Sequence, residues 1–193
     1  MEELKKKTNW IQLISFIVIA LLGAEDVMLI YQNRQLKDML KGPPQMEPLK
    51  AGEHLETVKV QTLDGTTTDL AYTEPSQKYL LFVFSTTCPH CEKTLPAWQT
   101  IANNKNDNCN ILGISIHTLE ETNKFVAAKN INFVTVTAAE DTSFSRKYKV
   151  AGVPETILIS GNGTVEKAWV GELNADQTKE IQNLISSSTA STN

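Results

Sequence analysis

Apolar residues in this chain fall into one long N-terminal run and a series of short ones. From Trp10 to Ala24 the chain is almost unbroken in apolar residues, with only Gln12 and Ser15 diluting it. Lys5, Lys6 and Lys7 precede the run, and Glu25 and Asp26 interrupt its continuation through Val27-Met28-Leu29-Ile30-Tyr31. Taken to Tyr31 it covers about 22 residues, or about 33 Å as a helix, enough to cross a hydrocarbon core of about 30 Å. The two acids work against this, each costing on the order of 2.5–3.5 kcal/mol at a bilayer centre and less near its surface. Beyond Val27 the chain reaches Leu40 without Gly or Pro, with Ile30, Leu36, Met39 and Leu40 apolar, which reads as a helix leaving a membrane. The pattern therefore predicts an uncleaved signal anchor over residues 1–31, single-pass in the cell membrane, with its basic end inside. Cleavage after Ala24 and secretion is the alternative, although Leu22 is a poor fit to the small residue wanted three before such a cut. Either way the rest of the chain is exported to the extracytoplasmic side. No cysteine follows the run closely, which excludes a lipoprotein anchor.

Residues 32–50 read as a juxtamembrane helix and a stiff linker, since Gly42-Pro43-Pro44 and Pro48 stop any helix. A domain over residues 51–187 follows. Thr57 to Gln61 and Thr66 to Leu70 flank Asp64-Gly65, a hairpin signal. Tyr79 to Phe84 is a continuous apolar run suited to a strand buried on both faces. A helix to about Asn103, a strand over Asn110 to Ile116, an amphipathic helix over Glu120 to Asn130, a strand over Phe133 to Thr137 and a short helix over Ser143 to Tyr148 come next. Thr156 to Ser160 and Thr164 to Val170 flank Gly161-Asn162-Gly163 as a second hairpin, and Asn174 or Asp176 caps a last helix to about Ile185. Residues 188–193 continue a Ser/Thr-rich tail and are expected to be disordered. Strands alternating with helices, closed by a hairpin and a helix, describe an α/β domain with a central sheet.

Length and charge narrow the function. At 193 residues there is room for one sizeable core plus an appendage. A net charge of −4, with no basic face beyond the first residues, argues against nucleic acid as a partner. Three cysteines do not staple a domain of this size. Cys109, set among Asn106, Asp107, Asn108 and Asn110, has no partner in sequence and reads as a small packed hydrophobe.

Cys88 and Cys91, in Cys88-Pro89-His90-Cys91, stand just after a buried strand and open a helix, the setting of a redox dithiol. At a helix start, unpaired N–H groups and the macrodipole stabilise a thiolate on Cys88. Pro89 suits the first turn, where its missing N–H leaves nothing unpaired. Cys91 is three residues on, on the same side and within disulfide reach. A free thiol titrates near about 8.5, and such settings lower it to about 3.5–7.5. His90 adds a donor or a positive charge. A zinc half-site is the competing structural reading, but zinc wants four ligands, and Cys109, His54, His90 and His117 show no metal-type spacing. No metal or cofactor is implied.

The run Leu80-Leu81-Phe82-Val83-Phe84-Ser85-Thr86-Thr87 leading into these cysteines resembles the first strand and active site of the thioredoxin family. Val153-Pro154-Glu155-Thr156, some 60 residues later, resembles its cis-proline loop. The N-terminal anchor, the Asp64-Gly65 hairpin and the strand and helix inserted between Ile111 and Val150 resemble most the membrane-anchored TlpA/ResA group. The resemblance covers about residues 50 to 187. It implies a thioredoxin-like fold, a central mixed sheet flanked by helices, with an added N-terminal hairpin and a transmembrane helix. It implies a thiol–disulfide oxidoreductase in which Cys88 attacks a substrate disulfide, Cys91 resolves the mixed disulfide, and Pro89 and His90 tune the pair. It further implies that Pro154 is cis and that Val153 offers its backbone to an extended substrate. Gly171 resembles a glycine that flattens the docking surface. The implied partners are protein thiols and disulfides, a redox partner that recycles the dithiol, and the membrane. Maturation of cytochromes or of other exported thiol proteins is the kind of role implied.

The chain departs from the thioredoxin pattern in places. Thr87 stands where thioredoxins carry Trp, and Phe82 where they carry a buried acid, which leaves water, His90 or another acid such as Glu155 to take the proton of Cys91. The Pro-His dipeptide is that of the oxidant DsbA within a frame resembling reductases, and the two extremes lie near about −120 and −270 mV, so the direction of electron flow is open. Two other functions compete. A thiol peroxidase of the redoxin class needs Pro seven and Thr three residues before the nucleophile, where this chain has Leu81 and Ser85. A copper metallochaperone would use Cys88, Cys91 and a distant His such as His117, since thiolates suit copper(I), but such modules space their cysteines one residue wider.

Overall fold

The computed structural model describes residue 14 and residues 17–34 and 47–186. The chain divides into two units, Met1–Gln45 and Met46–Asn193.

In the first unit, residues 17–34 form helix α1, with exposed apolar side chains such as Ile19 and Leu22. Eighteen residues make a helix of about 27 Å. This one carries Glu25, Asp26 and Arg34, and among the described residues no helix is long and apolar enough to cross a membrane. The transmembrane helix expected from the sequence draws on Trp10 to Leu13, Ser15 and Phe16 as well, which lie outside the described residues, as does the tail over residues 188–193.

The second unit is built on one seven-stranded sheet. Its strands are β1 (Val58–Thr62), β2 (Thr67–Leu70), β3 (Lys78–Phe84), β4 (Cys109–Ser115), β5 (Val134–Thr137), β6 (Glu155–Ser160) and β7 (Val165–Val170), in spatial order β2-β1-β5-β4-β3-β6-β7. Helices α2 (Pro89–Asn103), α3 (Leu119–Lys129), α4 (Phe144–Lys147) and α5 (Ala175–Ser186) complete it. Strands β3, β4 and β5 run parallel, each pair joined through a helix as parallel pairing requires, and the remaining pairs are antiparallel. This is the α/β domain with a mixed central sheet flanked by helices that the sequence led us to expect.

Local chemistry explains the elements. Gly65 closes the first hairpin with φ +91°, and Asp64 accepts from the Thr66 N–H and from the Thr62 hydroxyl. Thr118 and Glu121 form a reciprocal capping box on α3, and Asn130 ends that helix in the left-handed region. At α5 it is Asn174, not Asp176, that caps, taking the Gln177 N–H at 2.8 Å.

Strand alternation splits the core into two layers. Leu81, Val83, Ile157 and Ile159 pack with Val58, Phe144 and Tyr148 on one face. Leu80, Phe82, Phe84 and Leu158 pack with Trp98 of α2, Phe125 of α3 and Ile181 of α5 on the other. Leu80 through Phe84 are all essentially inaccessible, each worth about 1.5–3 kcal/mol of burial. This rigid central strand delivers the segment that follows it to one end of the sheet.

Candidate active site

Strand β3 ends at Phe84, and Ser85 to Thr87 carry the chain to Cys88, the N-cap of α2, whose backbone is extended at φ −92° and ψ 114°. Pro89 occupies the first turn. The Cys91 N–H donates to Cys88 Sγ at 3.3 Å, and the N–H groups of Cys91 and Glu92 also approach the Cys88 carbonyl. The sulfur thus takes the place of a capping side chain, where helix amides favour negative charge.

The two thiols have unequal surroundings. Cys88 is partly exposed, whereas Cys91 is 1% exposed in the core layer of Phe82 and Trp98. Burial, reinforced by the neighbouring Cys88, pushes the Cys91 thiol up to about 12. A pair with one accessible and one sheltered sulfur can exchange disulfides asymmetrically, the outer sulfur meeting the partner and the inner one closing the ring.

The Val153–Pro154 peptide is cis. Cys88 Sγ lies 3.5 Å from the Val153 carbonyl oxygen, in position for the thiol to donate. Cys88, Cys91, Val153 and Pro154, the residues singled out in the sequence, therefore meet at one place. Gly171 joins them, because its N–H donates to the Pro154 carbonyl at 2.8 Å, and its φ of +95° calls for glycine. His90 points outward, with Nδ1 2.5 Å from Glu172 Oε1.

Phe82, at the position of the missing acid, lies stacked on Trp98, with ring centroids 4.9 Å apart at 12°. The Trp98 Nε1–H donates to the Thr156 hydroxyl at 2.9 Å. Glu155 does not replace the acid in the manner considered from the sequence. It pairs in register with Val83, while Thr156 pairs with Phe82. Alternation therefore turns Glu155 to the face opposite α2 and Cys91. There it is fully buried with neither carboxylate oxygen hydrogen-bonded, and burial pushes its pKa up to about 8.

Three residues at the site were given no part in the dithiol chemistry by the sequence reading. Ser85 and His117 form one pair, with His117 Nε2 2.9 Å from Ser85 Oγ and His117 Nδ1 3.4 Å from Glu121. Ser85 in turn accepts the Cys88 N–H on its carbonyl and the Thr87 N–H on its hydroxyl, which fixes the loop before the sulfur. The third is Glu172, whose only sequence signal is that it follows Gly171. His117 is thus directed to Ser85 and Glu121. Among the described residues, no group of three or more His, Cys, Asp or Glu side chains is placed to hold a metal ion. The positions a redoxin peroxidase needs are filled by Leu81, fully buried in the sheet, and by the His117-bound Ser85.

Comparison with known proteins agrees with this geometry. The sporulation thiol-disulfide oxidoreductase A of Bacillus subtilis (strain 168) is 24% identical over 126 residues, 63% of this chain and 74% of that protein. Among solved structures, a secreted Mycobacterium tuberculosis disulfide oxidoreductase homologous to E. coli DsbE matches with a TM-score of 0.53 at 20% identity, covering 65% of this chain and 94% of that one. A peroxiredoxin-like protein from Aquifex aeolicus matches with a TM-score of 0.59 at 18% identity, covering 72% and 90%. At such identities the structures show a shared thioredoxin-like fold and no more. The relatives include thiol–disulfide oxidoreductases, and the family model of the AhpC/TSA family matches residues 51–168, so the chain belongs to the AhpC/TSA family.

Proposed function

We propose that this protein is an exported, membrane-tethered thiol–disulfide oxidoreductase that exchanges disulfides with other extracytoplasmic proteins through Cys88 and Cys91. One observation carries the reading: a partly exposed Cys88 sulfur caps a helix, accepts the Cys91 N–H and faces a cis Val153–Pro154 peptide, with Cys91 buried behind it.

In the reducing direction, the Cys88 thiolate attacks one sulfur of a substrate disulfide. A Cys88–substrate bond forms, and the substrate's other sulfur leaves as a thiolate. Cys91 then loses its proton and attacks Cys88 Sγ, forming the Cys88–Cys91 disulfide and releasing the substrate's second thiolate. Two electrons pass to the substrate, and the opposite direction reverses each step. Because burial holds the Cys91 proton tightly, the departing substrate thiolate, water or His90 must accept it as the second step begins. Pro89 shapes the first turn and His90 sets the charge beside it, while Val153 and Pro154 form the wall against which an extended substrate lies. A redox partner would return the dithiol to its working state.

The tether rests on Lys5 to Lys7, the apolar run from Trp10 and the exposed apolar helix over residues 17–34. The secreted relative from M. tuberculosis supports an extracytoplasmic place for the domain. Residues 32–50 then act as the spacer and residues 51–187 as the working domain. Apocytochromes and other exported thiol proteins are the substrate class that the TlpA/ResA resemblance suggests.

Replacing Cys91 by Ser removes the resolving step and should leave substrates linked to Cys88, visible as reducible adducts in cells. The reading fails when Cys91→Ser accumulates no more adduct than a Cys88→Ser, Cys91→Ser double variant.

A further inference from the structure

Glu172 is not used by the mechanism above, yet it is held beside the dithiol from both sides. On its N-terminal side the Gly171 N–H donates to the Pro154 carbonyl, and on its C-terminal side the Leu173 N–H donates to Thr94 Oγ1 on α2 at 2.8 Å. These two anchors hold the loop between β7 and α5 against the first turns of α2. The carboxylate then meets His90 Nδ1 at 2.5 Å and Lys93 Nζ at 3.4 Å. Its contact with His90, followed by that with Lys93, keeps the carboxyl below its usual range, so it is ionised in neutral and mildly acidic solution.

Reduction of the Cys88–Cys91 disulfide to two thiols takes two electrons and two protons, and exchange with a partner runs through the Cys88 thiolate. Whatever stabilises negative charge on Cys88 favours the reduced form and makes the pair a stronger oxidant. An imidazolium on His90, two residues further along the same first turn of α2, acts in this direction. A carboxylate that takes the imidazolium's Nδ1–H and adds its own negative charge acts against it.

We infer that Glu172 is a positioning residue of the dithiol, which engages His90 and offsets its charge, and so makes this pair more reducing than its Pro-His dipeptide would be alone. This deepens the oxidoreductase reading and rests on it. It also addresses the conflict within the sequence, an oxidant's dipeptide inside a reductase-like frame. The residue that moderates the dipeptide lies 82 positions further along the chain.

The test is the equilibrium of the full 193-residue chain with dithiothreitol redox buffers at pH 6.0. Glu172→Gln keeps the size and the hydrogen-bonding oxygen but removes the charge. It should shift the equilibrium toward the reduced dithiol threefold or more. In a His90→Ala background the same substitution should shift it by less than half as much on a logarithmic scale. The inference is overturned by an unchanged equilibrium in Glu172→Gln, or by an equal shift with and without His90, which would make Glu172 a simple distant charge. A chain whose cysteines exchange with dithiothreitol in no form at all would instead overturn the oxidoreductase reading itself.

Discussion

The Cys88 sulfur lies 3.5 Å from the carbonyl oxygen of Val153, across 65 residues of sequence, and the peptide that follows Val153 is cis. The contact ties the start of α2 to the start of β6. One strand end presents the sulfur, and the neighbouring antiparallel strand supplies the wall beside it.

Selective alkylation follows from the unequal burial of the thiols. Cys91 and Cys109 are buried, with their thiols pushed up to about 12 and about 11 by desolvation, while Cys88 is partly exposed. Iodoacetamide at pH 8 should modify the native reduced protein at Cys88 first, by at least tenfold in rate. Peptide mass mapping of a time course checks this, and equal labelling of Cys91 would count against the asymmetry.

Glu155 makes stability depend on pH. Its folded value of about 8 stands above the ordinary carboxylate value, so the folded state holds a proton that the unfolded chain releases. The stabilisation this gives is full below the unfolded value and is lost as pH rises toward 8. Chemical denaturation between pH 5 and pH 8 should show stability falling as pH rises, by on the order of a few kcal/mol from this group. Glu155→Gln should flatten that slope and be relatively more stable at pH 8 than at pH 5.

Gly171→Ala places a side chain on a backbone with φ +95° and strains the bond from its N–H to the Pro154 carbonyl. A loss of about 1–2 kcal/mol is expected in urea denaturation. Exchange with a glutathionylated peptide should slow as well, because the loop that carries Glu172 and braces the cis-proline is displaced.

Much of the fold was legible in sequence because its signals are local. The buried run Leu80 to Phe84, the Asp64-Gly65 turn and the Pro89 helix start each depend on neighbours a few residues away. The fit of β1 against β5 was not legible, since the order of strands is set by packing across the sheet and not by any pattern within β1. The dithiol and the Val-Pro pair announced themselves by spacing. His117 and Glu172 did not, because each acts through a contact with a residue 32 or 82 positions away, Ser85 and His90 respectively. Glu155 showed the reverse problem. Its position beside Pro154 suggested nearness to Cys91, but strand alternation turned it to the other face.

The most direct test of the account is a thiol–disulfide titration of the full chain in glutathione buffers, with peptide mapping of the oxidised form. The account predicts one reversible two-electron transition in which Cys88 and Cys91 join and Cys109 stays a free thiol throughout. Failure to form that disulfide, or a disulfide that includes Cys109, would contradict it.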